Sequence, residues 1–113
     1  MENLNTNQIF AVSEFTRDDQ GHTLALIIDT KNGKTLPRYI TSFLSFYPTD
    51  LTKLDNNNFL LLERDYTPLF GGQARLRRIT LPEIMSGNVI EGEEMTRISS
   101  AFDIDNLEGI ASL

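Results

Sequence analysis

The run NFLLLERD (58–65) decides the fold. Its apolar half, Phe59 to Leu62, passes directly into Glu63, Arg64 and Asp65. Turn formers bound it on both sides: DNNN (55–58) before it tolerates left-handed backbone, and YTPLFGGQ (66–73) after it carries a glycine pair. A short apolar run between such signals reads as a β-strand. Working outward, DLTKL (50–54) and ARLRRITL (74–81) alternate as strands, the second with Leu76 and Ile79 as inward positions. PEIMSGN (82–88) is one helical turn opened by Pro82 and closed near Gly87, and residues 89–99 form a weaker strand around MTRIS.

The first half repeats the pattern. QIFAVSEF (8–15) mixes aromatic and β-branched residues, TRDDQGH (16–22) is a hairpin loop, and HTLALIID (22–29) is a buried strand. In DTKNGKT (29–35), Asn32-Gly33 signals a type I′ turn into a third strand at 35–40. TSFLSFYPTD (41–50) breaks the alternation, since Pro48 restricts Tyr47; it is expected to be an irregular connection laying Phe43, Phe46 and Tyr47 on the core. FAVSEF and FLLLERD both end an apolar strand on a glutamate, Glu14 and Glu63, 49 residues apart. That spacing is in the range of a propeller blade. The fold class is all-β and antiparallel: a sandwich, barrel or propeller of short strands.

Composition narrows the chemistry. The chain has 113 residues, 40% hydrophobic and 23% charged, enough for one domain. Ten Lys+Arg against 16 Asp+Glu give a net charge of −6, which argues against a nucleic-acid partner. The absence of cysteine excludes a disulfide scaffold and a thiolate metal site. His22 is the lone histidine, so multi-histidine metal sets are excluded; beside Gly21 it reads as a surface residue. The longest apolar run, Leu24 to Ile28, is far short of a membrane span, and the polar, acidic start MENLNTNQ is not a signal peptide. Ser13 is not in a G-x-S-x-G context, and no P-loop, G-x-G-x-x-G or H-E-x-x-H occurs.

Two elements carry a family resemblance. One is Leu-Leu-Glu-Arg (61–64), reached through Pro-Thr-Asp-Leu (48–51); the other is Asp-Asn-Leu-Glu-Gly (105–109). With the Arg-Leu-Arg-Arg-Ile strand between them, residues 47–113 resemble the phytase-like family whose domain is called "esterase-like activity of phytase". The resemblance implies a β-propeller-like domain, larger than this chain, in which the Asn-Leu-Glu-Gly strand leads to an Asp-Asp-Asn-Phe element. The chain stops at Leu113, before that element. On this reading it is a propeller-like segment of about two four-stranded blades. Residues 8–46 supply an incomplete blade lacking its first strand, 47–100 a complete blade, and 101–113 the first strand of a further one. The terminal strand 106–113 of one subunit could then complete the first blade of the next, giving a homo-oligomer. The family's members are commonly periplasmic or secreted, which leaves the compartment open.

The candidate catalytic residues are Glu63, Arg64 and Glu108. The competing reading has Glu63 and Arg64 hold neighbouring blades together through charge-assisted hydrogen bonds. Asp105, Asn106 and Glu108 form an oxygen-rich set suited to Ca²⁺, against a reading as a capped turn followed by a structural glutamate. Glu14 and Asp50 are candidate additions to an acidic surface. Arg75 and Arg77 fall on one strand face and Arg78 on the other; they could hold phosphate, or form a solvated stripe paired with Glu91, Glu93 and Glu94. The function classes are therefore an ester or phosphoester hydrolase relative acting on a small ligand, a non-catalytic propeller module for binding or assembly, and an inactive fragment.

Overall fold

The computed structural model describes residues 1–43, 45–65 and 72–98. Eight strands and one short helix follow in order: β1 (Glu2–Asn5), β2 (Gln8–Arg17), β3 (Thr23–Asp29), β4 (Thr35–Ile40), β5 (Phe46–Lys53), β6 (Asn58–Asp65), β7 (Gln73–Thr80), α1 (Leu81–Ser86) and β8 (Glu93–Ile98). They form two antiparallel four-stranded sheets, ordered β1-β2-β3-β4 and β5-β6-β7-β8. Each is a meander of chain neighbours, as in a propeller blade, and the two do not close into a ring.

The central strands follow the alternation in the sequence. Phe10, Ala25 and Ile27 from the first sheet meet Leu51, Phe59, Leu61 and Ile79 from the second in one core, with Ile40, Ile84 and Ile90 closing its side. Phe10 and Phe59 are fully buried, so the paired motifs FAVSEF and FLLLERD each turn their first residue into the shared core. Fully burying one such side chain contributes about 1.5–3 kcal/mol. Leu76 and Ile79 lie on opposite faces: Ile79 enters the main core, while Leu76 packs with Leu62, Ala74 and Ile98 in a smaller cluster on the far side.

Four features differ from the sequence expectation. β1 went unassigned because ENLN is short and polar, with Leu4 as its buried side chain; it pairs with β2, so the first sheet has its own first strand. Residues 46–50 are strand rather than irregular connection. Pro48 is tolerated because β5 is an edge strand and its register shifts between Pro48 and Asp50. Of the aromatics placed on the core, Phe46 is buried, but Phe43 is 37% exposed. The β3–β4 hairpin is longer than a two-residue turn. It is closed by Asp29 N–H to Lys34 O at 2.8 Å, and Gly33 takes a φ of 72° at its tip.

α1 shows why a six-residue helix persists. Thr80 and Glu83 form a reciprocal capping box, Pro82 sits in the first turn, and Gly87 ends it in the left-handed region. Its buried Ile84 fixes it on the core. The expected strand at 106–113 lies outside the described residues.

Candidate functional site

Glu63 sits near the C-terminal end of β6, opposite Arg75 of β7, with Arg77 two residues along on the same face. That face looks toward the first sheet, and Glu63 and Arg77 are 0% and 1% exposed. Arg77 holds the glutamate as a fork: Nε donates to Oε1 at 2.7 Å and Nη2 to Oε2 at 3.0 Å. Its remaining N–H groups reach across the sheet boundary. Nη1 donates to Thr41 Oγ1 and to Glu91 O, both at 2.9 Å, and Nη2 to Thr41 O at 2.7 Å. All five donors of the guanidinium are thus used. Thr41 follows β4, so one arginine ties the exit of the first sheet to the second.

The same boundary carries further links. Thr41 N–H donates to Ile90 O at 2.9 Å, and Ile90 N–H donates to Tyr39 O at 2.8 Å. Arg38 Nε donates to Ile84 O at 2.6 Å, and Arg17 Nη2 to Phe46 O at 2.7 Å. Arg75 completes the charged cluster, with Nε 3.5 Å from Glu63 Oε1 and 3.4 Å from Glu94 Oε1. Burial, and then the neighbouring Arg77 charge, pull the Arg75 guanidinium below its ordinary pKa, against the opposing pull of Glu63 and Glu94.

Of the candidate catalytic residues, the two described ones, Glu63 and Arg64, do not share a face. Glu63 turns inward, and Arg64, the next residue along an extended strand, turns to the opposite face of the sheet. Asp105, Asn106 and Glu108 lie outside the described residues. The arginine stripe divides as period two requires, but the solvated reading fails for its inner half. Arg75 and Arg77 are buried with Glu63, whereas Arg78 is only half-buried and pairs with Glu93. Glu91 contributes its backbone carbonyl, not its carboxylate. His22 stays at a loop end, partly exposed, with Nδ1 3.5 Å from Asp18 Oδ2.

Glu14 and Asp50 do come together. With Met1, Val12, Pro48 and Thr49 they line a cleft of ≈ 140 Å³ between β2 and the bulged part of β5. It is large enough for a few non-hydrogen atoms and carries no Lys or Arg side chain in its lining. Among the described residues, no three His, Cys, Asp or Glu side chains are placed to hold a metal ion. The sequence reading missed the partnership of Arg77 with Thr41. Period two already placed Arg77 with Arg75 beside a strand-borne glutamate, but nothing local in the sequence ties β7 to a threonine 36 residues earlier.

Two chain-neighbour meanders packed face to face, one carrying a buried strand-end glutamate, define a propeller-like, all-β class of protein. Within that class, the chain belongs to the phytase-like family described as "Esterase-like activity of phytase", which it matches over residues 3–113. The match takes in residues 3–46 as well, where the motifs alone are less distinct. No curated protein and no solved structure matches the chain.

Proposed function

We propose that the chain is a phytase-like domain protein whose two described sheets act as a scaffold and binding module, with Glu63 and Arg77 as structural rather than reacting groups. One observation carries this reading: both carboxylate oxygens of Glu63 are held by Arg77 at 2.7 and 3.0 Å, and the residue has no exposed surface. A general acid or nucleophile must reach its substrate within hydrogen-bond distance. The test is Glu63→Gln, assayed on p-nitrophenyl acetate and p-nitrophenyl phosphate. The expected result is a lower melting temperature with turnover equal to that of the unaltered chain. A folded variant that loses measurable turnover of either ester overturns the assignment.

Ester hydrolysis is the second reading, supported by the family's description and by the cleft that gathers Glu14 and Asp50. A phosphomonoester dianion would meet like charge there, so a neutral carboxylic ester suits the lining better. The remaining candidates for this reading are Arg64 and the oxygen-rich set Asp105, Asn106 and Glu108 with Ca²⁺.

A further inference from the structure

Asn32 alone among the asparagines of the chain precedes a glycine. That order carries chemistry of its own. The amide nitrogen of a glycine has no side chain beside it to hold it away from the asparagine carboxamide, and glycine reaches backbone geometries that other residues avoid. The pair sits at the tip of the β3–β4 hairpin, where residues 30–36 are all exposed. The closed turn holds both reacting groups. Gly33 N–H donates to Asp29 O at 2.8 Å, and Lys34 N–H donates to Asn32 Oδ1 at 2.8 Å. Two anchors keep the turn closed. Lys31 N–H donates to Asp29 Oδ1 at 2.8 Å, and Thr30 donates its N–H and its hydroxyl to Asn7 O at 2.9 and 3.2 Å.

We propose that Asn32 is a site of spontaneous deamidation, gated by opening of this hairpin. The Gly33 amide nitrogen attacks Asn32 Cγ and forms an N–Cγ bond. The Cγ–Nδ2 bond breaks, and Nδ2 leaves as ammonia with the proton that Gly33 gave up. Water then opens the cyclic imide. Its addition at Cγ gives aspartate; its addition at the main-chain carbonyl gives isoaspartate, whose backbone runs through the former side chain. No oxidant or reductant takes part. In the closed turn the nucleophile is engaged by Asp29 O and the carboxamide is fixed by Lys34 N–H, so attack requires both bonds to break. The hairpin end opens at little cost in burial, because Leu36 beside it is 53% exposed and the core begins only at Ile27. The two products then differ in geometry. The aspartate product keeps the length of the main chain, and its carboxylate accepts the Lys34 N–H as a charge-assisted bond. Isoaspartate adds a methylene to the main chain between Asp29 and Lys34, whose N–H to O bond closes the hairpin, so that register does not re-form unchanged. The modification goes beyond the scaffold reading and does not depend on whether the chain hydrolyses an ester.

Ageing the full chain in mildly alkaline buffer tests it, folded and in urea. Fragmentation mass spectrometry locates each product, isoaspartyl methylation counts the isoaspartate, and circular dichroism confirms the fold of each variant. The expected result is conversion first at Asn32 in both states, about tenfold or more slower in the folded chain. Asp29→Ala and Thr30→Val, which loosen the two anchors separately, speed conversion of the folded chain and leave the rate in urea unchanged. Gly33→Ala slows conversion in urea, where the turn has no influence. The isolated isoaspartyl chain exchanges the amides of Asp29 and Gly33 faster than the Asn32→Asp variant does. Earlier conversion at another asparagine in urea, equal rates in the folded and denatured chains, a folded chain that never converts, indifference to both anchor variants, an unchanged rate for Gly33→Ala in urea, or an isoaspartyl hairpin as protected as that of Asn32→Asp would overturn the proposal. None of these outcomes bears on Glu63→Gln, so the two readings fail separately.

Discussion

Arg77 illustrates how one side chain acquires its role from its surroundings. Its fork grips Glu63, and its other donors hold Thr41 and the Glu91 carbonyl, so it couples three chain segments from a position 1% exposed. Removing the arginine leaves a buried carboxylate without its hydrogen-bonded partner, with only Arg75 Nε at 3.5 Å as counter-charge; breaking a buried pair costs about 3–5 kcal/mol. Arg77→Met is expected to lower unfolding stability by that amount in urea titration, and Glu63→Gln on the same background to recover part of it. A loss under ~1 kcal/mol would show that the pair is not what joins the sheets. The sequence displayed Glu63 and the alternation of Arg75, Arg77 and Arg78. It did not display which arginine meets the glutamate, because cross-strand register and depth decide that, and both depend on packing.

At the scale of elements, turns and caps were the most legible parts. DNNN marks the β5–β6 turn, and the structure shows its mechanism. Asp55 Oδ1 accepts from Asn57 N–H at 2.8 Å and from Asn58 Nδ2 at 2.9 Å. These bonds favour the ionised carboxylate and lower the Asp55 pKa below the ordinary aspartate value of 3.8, the Asn57 backbone bond contributing most. A pKa depressed in the folded state contributes stability that is present above 3.8 and lost as pH falls through the lower folded value. Amide exchange in residues 54–58 is therefore expected to accelerate selectively on acidification below that range, and Asp55→Asn to remove the dependence. Pro48 was legible as a disruption but misread as part of an irregular connection over residues 41–50, where β5 already begins at Phe46. Its missing N–H matters in a central strand, whereas β5 has a free edge and a bulge at that point. β1 was illegible because a polar four-residue edge strand has no periodic apolar signal; its pairing with β2 defines it.

For the whole molecule, the decisive fact is that both sheets feed one core. Phe10 and Ile27 share a cluster with Phe59, Leu61 and Ile79, and α1 seals its side through Ile84. Neither sheet can leave without exposing the other's inward face. The two should therefore unfold together, with the slowest amides of β3 and β6 exchanging at the same opening free energy in native-state hydrogen exchange. Distinctly lower protection in β3 would mean that the blades open as separate units.

The sequence by itself determined the all-β antiparallel class, most strand positions, the helical turn at Pro82 and the family. These rest on local periodicity, turn chemistry and motif order, which a linear chain carries in full. Tertiary structure alone decided that Glu63 faces inward into Arg77, that Arg64 faces away, and that Glu14 and Asp50 share a cleft. Each depends on which strand face meets another sheet, and that choice is set by burial among residues tens of positions apart.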